Sequence, residues 1–407
     1  MKRRAALWTA VVLAAGLAAC GDPQVQTLEP ETTDLLFLRS SRGVAVLETG
    51  SEASPKFSSG ATVTSSDWST AVKTRLDDGE THVTALDPSS GVERWRTTLK
   101  GRLYAKLLSE QGDLVALSPL SEKPYAYGRS ETKFMIAGSG TTEPQSIVIE
   151  GNYEPEAFST DGESLFVIKY LPARRPTQYQ VRRMDLDTGR VRGVYTPHEE
   201  LQRAMGGTAR IQVASPDGRR LYTLYTVGGD DGSAFIHVLA LDDMWAHCIS
   251  LPDEFALNAE GATALTVSPD GDSLYVANSA AGAVAEIDTE RLKVARTNDV
   301  DLARGGPTRA AHDSDKTFYF ASGRDVTSVD TSELEEDESW SLPDRVSGIQ
   351  TADSGAKVYV GMKREVAVLD GGTGEVVETI DPPEIGRIAD LGAGMRWLAD
   401  TTTKCAC

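Results

Sequence analysis

The side chains able to do chemistry are spread thinly along this 407-residue chain, and the acids are the ones that recur. Glu48, Asp87, Asp185, Asp242, Asp288, Asp330 and Asp370 each close a short apolar run, and most are followed at once by Gly, Ser or Thr. Such carboxylates could bind a metal ion or move protons. Recurrence at one place in a repeat, with turn residues next, points instead to a structural job: accepting the amide hydrogens of a tight turn. General acid–base catalysis would need a histidine beside carboxylates. The five histidines, His82, His198, His237, His247 and His312, stand singly. His312, ahead of the run Thr317 to Ala321, is the one to inspect, and a turn histidine there is expected to face solvent. No catalytic residue is assigned.

Metal and phosphate chemistry find little footing. Cys405-Ala406-Cys407 has the spacing of half a metal site, with no further Cys nearby in sequence to complete it. The run Gly228 to Gly232 is no phosphate loop, because no Lys-Ser or Lys-Thr follows it and it joins two strand-like runs. Asp230 and Asp231 within it lack the twelve-residue calcium pattern and read as a hairpin loop. No metal and no cofactor are expected. The conspicuous basic group is Arg174, Arg175, Arg182 and Arg183, whose first pair lies between Pro172 and Pro176. In an acidic chain these guanidinium groups suit a partner bearing carboxylates or phosphates, or else they offset neighbours such as Asp185 and Asp187. The acidic run Glu333 to Glu338 reads as a solvated stretch between strands.

The element that positions all of these is a repeat. VSPDGDSLYVAN (267–278) is a polar turn feeding a strand, followed by a second strand from Ala283 to Ile287 that ends at Asp288. STDGESLFVIKY, ASPDGRRLYTLY, DSDKTFYFAS and ADSGAKVYVGM repeat it. The central aromatics Phe166, Tyr222, Tyr275, Tyr319 and Tyr359 are spaced by 56, 53, 44 and 40 residues. That period belongs to four-stranded propeller blades, because one such sheet cannot bury both faces alone. The fold class is all-β, a β-propeller. Seven complete units and one split unit give eight blades, with seven as the alternative count. Asp34 to Glu48 lacks the opening turn-strand segment, and residues 385–400 look like that opening, so the two chain ends are expected to share one blade and hide its edges.

The turn-strand SPDG-x-x-LYV with its IDT or LD ending resembles the YVTN-type, surface-layer-related propeller repeat. The segments NYEPEAFSTDGESLF, RRMDLDTG and AFIHVLALDDMWAHCISLP are similar to those of uncharacterised actinobacterial propeller lipoproteins. The resemblance covers residues 155–380 well and 34–150 loosely, and implies an exported propeller with a binding role. It carries over no catalytic residue, since the metal-binding Glu, Asn and His of related lactonases find no counterpart here. ALDPSSGVERWRTTL (85–99) resembles a quinoprotein-like propeller repeat, but no tryptophan ladder recurs, which argues against a quinone.

Residues 1–19 read as a signal peptide: Lys2, Arg3 and Arg4 precede an almost wholly apolar or small run. Leu17-Ala18-Ala19-Cys20 resembles a bacterial lipobox, which implies cleavage before Cys20 and lipidation of it. Arg3-Arg4 lacks the flanks of a twin-arginine signal, which favours the general export route. Residues 20–33 then form the lipidated Cys and a polar tether, 34–400 a single propeller domain, and 401–407 a C-terminal tail. Removing 1–19 takes away three basic residues and no acid, moving the formal charge from −19 to −22. Such a surface repels nucleic acid and anionic headgroups, so attachment would rest on acyl chains. The expected location is the extracytoplasmic side of the cell membrane. Export permits disulfides, and the pairing among Cys248, Cys405 and Cys407 stays open.

Two functions follow. One is a binding or scaffold module for an envelope protein or glycan, using the loops at 118–132, 171–179 and 228–233. The other is a hydrolase or lyase at the central channel.

Overall fold

A computed structural model describes residues 35–40, 42–49, 56–139, 143–196, 204–228, 232–257, 261–302, 308–313, 316–352, 355–381 and 388–393. All lie within the unit Thr33–Cys407. The signal peptide, Cys20, the tether, Asp230, Asp231, Cys405, Cys407 and the tail lie outside the described residues.

Eight four-stranded antiparallel sheets account for every described strand. In seven of them the chain supplies four consecutive strands, from the innermost outwards; numbered in chain order, these blades 2 to 8 open at Ala61, Leu103, Asn152, Thr208, Thr263, Thr308 and Val346. Blade 6 shows why the repeat reads as it does. Its second strand, Ser273–Asn278, is buried along almost its whole length. Leu274 and Val276 turn to one side and pack with Leu224, Ile236 and Val238 of blade 5. Tyr275 and Ala277 turn to the other and pack with Phe318 and Phe320 of blade 7. Both faces of the strand are interior, so its apolar run is continuous rather than alternating. The fourth strands lie at the rim and are exposed, as in Val376–Ile380. The acidic run 333–338 falls mostly on another fourth strand, Glu335–Ser341, rather than between strands. Charge on an exposed edge discourages pairing with a foreign strand.

Blade 1 closes the ring. Its strands Leu35–Ser40, Gly43–Glu48 and Lys56–Ser59 come from the chain start, and Ile388–Ala393 from near its end joins as the innermost strand. Leu36 pairs with Ala393 and Leu38 with Leu391. The shared blade expected from sequence is therefore present, and the count is eight.

The SPDG-type turns have a common hub. Ser215 Oγ donates to Asp217 Oδ1 and accepts the Arg220 amide at 2.9 Å. Ser268 does the same with Asp270 and Ser273, Ser159 with Asp161 and Ser164, and Ser65 with Asp67 and Thr70. One hydroxyl thus satisfies an amide that the tight turn would otherwise leave unpaired.

Candidate functional site on the loop face

Antiparallel order within a blade places the first-to-second and third-to-fourth turns on one face of the disc. The second-to-third loops and the links between blades fall on the other. The recurring acids belong to the turn face. Asp87 accepts the Ser89 amide at 2.8 Å, Asp185 that of Thr188 at 2.8 Å, and Asp288 that of Arg291 at 2.7 Å. Asp330 accepts the Ser332 amide at 2.7 Å and Asp370 that of Thr373 at 2.9 Å. The Thr188 hydroxyl and amide hold Asp185 below the usual carboxylate range, and the Thr373 amide and hydroxyl do so for Asp370. Asp242 differs: it accepts the Asp243 amide and lies 3.7 Å from Arg219. His312 does not face solvent. It ends the innermost strand of blade 7, is buried against Tyr275 at 5.1 Å between ring centres, and holds Nδ1 2.5 Å from the Asp313 carbonyl. Burial lowers its pKa in spite of Asp313, Asp270 and Glu286 nearby.

The opposite face carries the long connections of blades 3 and 4. The blade 3 loop includes a single turn of 3-10 helix, Tyr125–Tyr127, and lies against the blade 4 loop. Arg129 N donates to the Ala173 carbonyl, and Asn152 Nδ2 donates to the carbonyls of Tyr125 and Ala173. Gly128, at φ +76°, has no room for a side chain: a Cβ there would stand 2.8 Å from Arg174 Cα. Beneath the loop is a buried ionic cluster. Glu154 accepts from Lys106 at 2.9 Å and from Arg129, whose Nη1 also donates to the Tyr153 carbonyl at 2.8 Å. Glu122 adds a second carboxylate 3.6 Å from Arg129.

The four arginines do not form one patch. Arg174 and Arg175 are exposed at the rim of this face. Arg182 and Arg183 lie within the strand Gln178–Asp185, where successive side chains point to opposite sides. Arg182 bonds Gln180 Oε1 at 2.6 Å, and Arg183 meets Met244 of blade 5.

Between blades 4 and 5, open to the loop face, is a cavity of about 260 Å³. Four tyrosines line it: Tyr125, Tyr170, Tyr179 and Tyr225. Tyr125 stacks on Tyr170 at 4.1 Å, and Tyr179 on Tyr225 at 4.8 Å. The buried Tyr179 hydroxyl has no hydrogen bond of normal geometry, although the Tyr225 phenol is close enough to perturb it. Burial first pushes Tyr170, Tyr179 and Tyr225 up, followed by neighbouring phenols at Tyr170 and Tyr179 and by the charge of Glu156 at Tyr225, so all three stay neutral. Behind the pocket His237 is pushed down to about 4 by burial and by His247. Cys248, half-buried, sits 3.5 Å from the Met205 sulfur.

The polar wall comes from innermost strands with β-bulges. In Leu103–Leu108, Asn152–Phe158 and Thr208–Ala214 the register slips by one residue, leaving Lys106, Glu156 and Arg210 as the extra residue. A bulge re-aims the side chain that it carries. Glu156 and Arg210 both line the cavity, and Gln212 Nε2 reaches Glu156 Oε1 at 2.6 Å and Thr223 Oγ1 at 3.0 Å. Among the described residues no group of three or more His, Cys, Asp or Glu is placed to hold a metal ion.

Solved structures share this architecture. Two structures of AztD from Citrobacter koseri, one of them the apo form, each superpose with a TM-score of 0.55 at 15% identity, covering 89% of this chain and 98% of theirs. Sqt1 of Saccharomyces cerevisiae gives 0.49 at 10% identity over 81% of this chain and 87% of its own. At 15% identity the likeness to AztD is one of fold. No protein-family model matches the chain, and no curated protein sequence matches it.

The pocket residues were not singled out from sequence, yet the repeat does mark one of their positions. Three residues before the turn serine stand Leu265 in blade 6 and, in blades 3, 4 and 5, Lys106, Glu156 and Gln212. Polar side chains in three successive units, at a place where another unit has leucine, are the signal.

Proposed function

We propose that this chain is an exported lipoprotein, tethered through Cys20 to the extracytoplasmic side of the cell membrane, whose propeller is a binding or scaffold module for an envelope protein or glycan. The observation that carries the binding role is the loop face, where the connections of blades 3 and 4 and the innermost strand of blade 5 surround a pocket of neutral phenols, a carboxylate, an amide and a guanidinium. A pocket with a few convergent polar groups in an otherwise packed fold suits recognition. Arg174 and Arg175 are exposed on the loop whose Pro176 lines the pocket, and their guanidinium forks could grip carboxylates or phosphates of a partner. The lipobox-like Leu17 to Cys20 and the resemblance to YVTN-type repeats support the cell-surface setting.

The test is a pull-down from intact membranes with the wild-type chain and with Arg174→Glu plus Arg175→Glu. Retained folding with a lost partner is expected; the same partners recovered at wild-type yield by both chains would count against Arg174 and Arg175 as contacts.

A further inference from the structure

We infer that the blade 4–5 pocket binds a small zwitterion, the α-ammonium and α-carboxylate centre of an amino acid, either free or at the unlinked end of a diamino acid in a wall peptide. The inference rests on reading the loop face as a binding face and names the ligand class for it.

Opposite charges face one small space here. Arg210 Nε is fixed by Thr226 Oγ1 at 2.7 Å, while neither Nη has a hydrogen-bond or ion-pair partner among the described residues. A held guanidinium with a vacant fork is shaped for a carboxylate. On the facing strand Glu156 is oriented by Gln212, and a carboxylate has about four acceptor sites. Gln212 marks where the Glu156 carboxylate lies, and Arg210 is two residues along the same strand, about 7 Å in backbone rise. That separation leaves room for an ammonium and a carboxylate joined through one carbon. A simple anion would meet Glu156 and a simple cation would meet Arg210, so each is disfavoured where the zwitterion is matched. The cavity of about 260 Å³ leaves space for a side chain against the tyrosines, whose neutral hydroxyls can donate to it or accept from it.

The test is calorimetric titration of the full chain in detergent with D- and L-alanine, propionate, ethylamine, and a soluble wall-peptide fragment ending in a free diamino acid. At least one zwitterion should bind, with propionate and ethylamine at least ~10-fold weaker than alanine or the fragment. Glu156→Gln should erase the preference over propionate, and Arg210→Gln the preference over ethylamine. Binding of alanine assigns the free amino acid; binding of the fragment alone assigns the wall peptide. The inference is overturned if no zwitterion binds at about 10 mM, or if propionate binds wild type as well as alanine does. The wild-type comparison needs no variant to fold. If it fails while the loop face still captures an envelope partner, the ligand class falls and the binding face stands.

Discussion

Gln212 Nε2 lies 2.6 Å from Glu156 Oε1, and this bond crosses the seam between two blades whose innermost strands are both bulged. The amide also donates to Thr223, so one side chain ties blade 4 to two strands of blade 5. Replacing Gln212 with Leu removes a donor from a partly buried carboxylate and should cost about 1–3 kcal/mol. Denaturant unfolding of the variant measures it; an unchanged midpoint would show the bond to be incidental.

Glu110, in the first turn of blade 3, bonds Ser66 of blade 2. Burial first, then Asp67 and Asp217, pushes its carboxyl up to about 7 from 4.5. A carboxyl whose pKa is higher folded than unfolded favours the folded state most below the unfolded value, and that contribution is lost as pH rises to the folded value. The loss should run from pH 4.5 to about 7 and amount to roughly 3 kcal/mol. Glu110→Gln should flatten this part of the stability profile and be more stable than wild type at pH 8. A wild-type profile that does not fall across that window would contradict the assignment.

Glu154 and Arg129 are almost wholly buried, with side chains 6% and 4% exposed. Removing one member strands the others, so Glu154→Ala should destabilise by about 3–5 kcal/mol and loosen the blade 3 loop. Hydrogen exchange at the Arg129 amide, which bonds Ala173, reads the loop directly. Protection equal to wild type would show that the loop does not depend on the cluster.

Closure predicts a length effect. Deleting Ile388–Ala393 removes the innermost strand of blade 1 and uncovers Leu36 and Leu38, which pack with Tyr359, Val366 and Val368 of blade 8. Unfolding should lose its single cooperative transition, whereas deleting 401–407 should leave it intact. A single transition at the wild-type midpoint in the first deletion would refute the role of the shared blade.

The propeller was legible because its second strands are interior on both faces, which makes runs such as Leu274 to Ala277 stand out. The innermost strands were harder to read. Their bulges break alternation, and Lys106, Glu156 and Gln212 stand where blade 6 has Leu265. The four arginines looked like one patch because sequence proximity hides direction: Arg182 and Arg183 are neighbours in the chain and lie on opposite sides of a strand. The tyrosine group was not legible as a group, since Tyr125, Tyr170, Tyr179 and Tyr225 come from three blades. Tyr222 and Tyr225 illustrate the difficulty: three residues apart in one strand, they face different neighbours, Tyr222 in the core shared with blade 6 and Tyr225 beside Tyr179 of blade 4.

The central claim is that the loop face does the binding, and site-specific photo-crosslinking in intact cells tests it most directly. Tyr127, 75% exposed on the blade 3 loop, and Val92, 62% exposed in a turn on the opposite face, are matched probe positions. A crosslinker at Tyr127 should capture a discrete envelope component that one at Val92 does not. Equal capture from both positions, or capture from Val92 alone, would contradict the account.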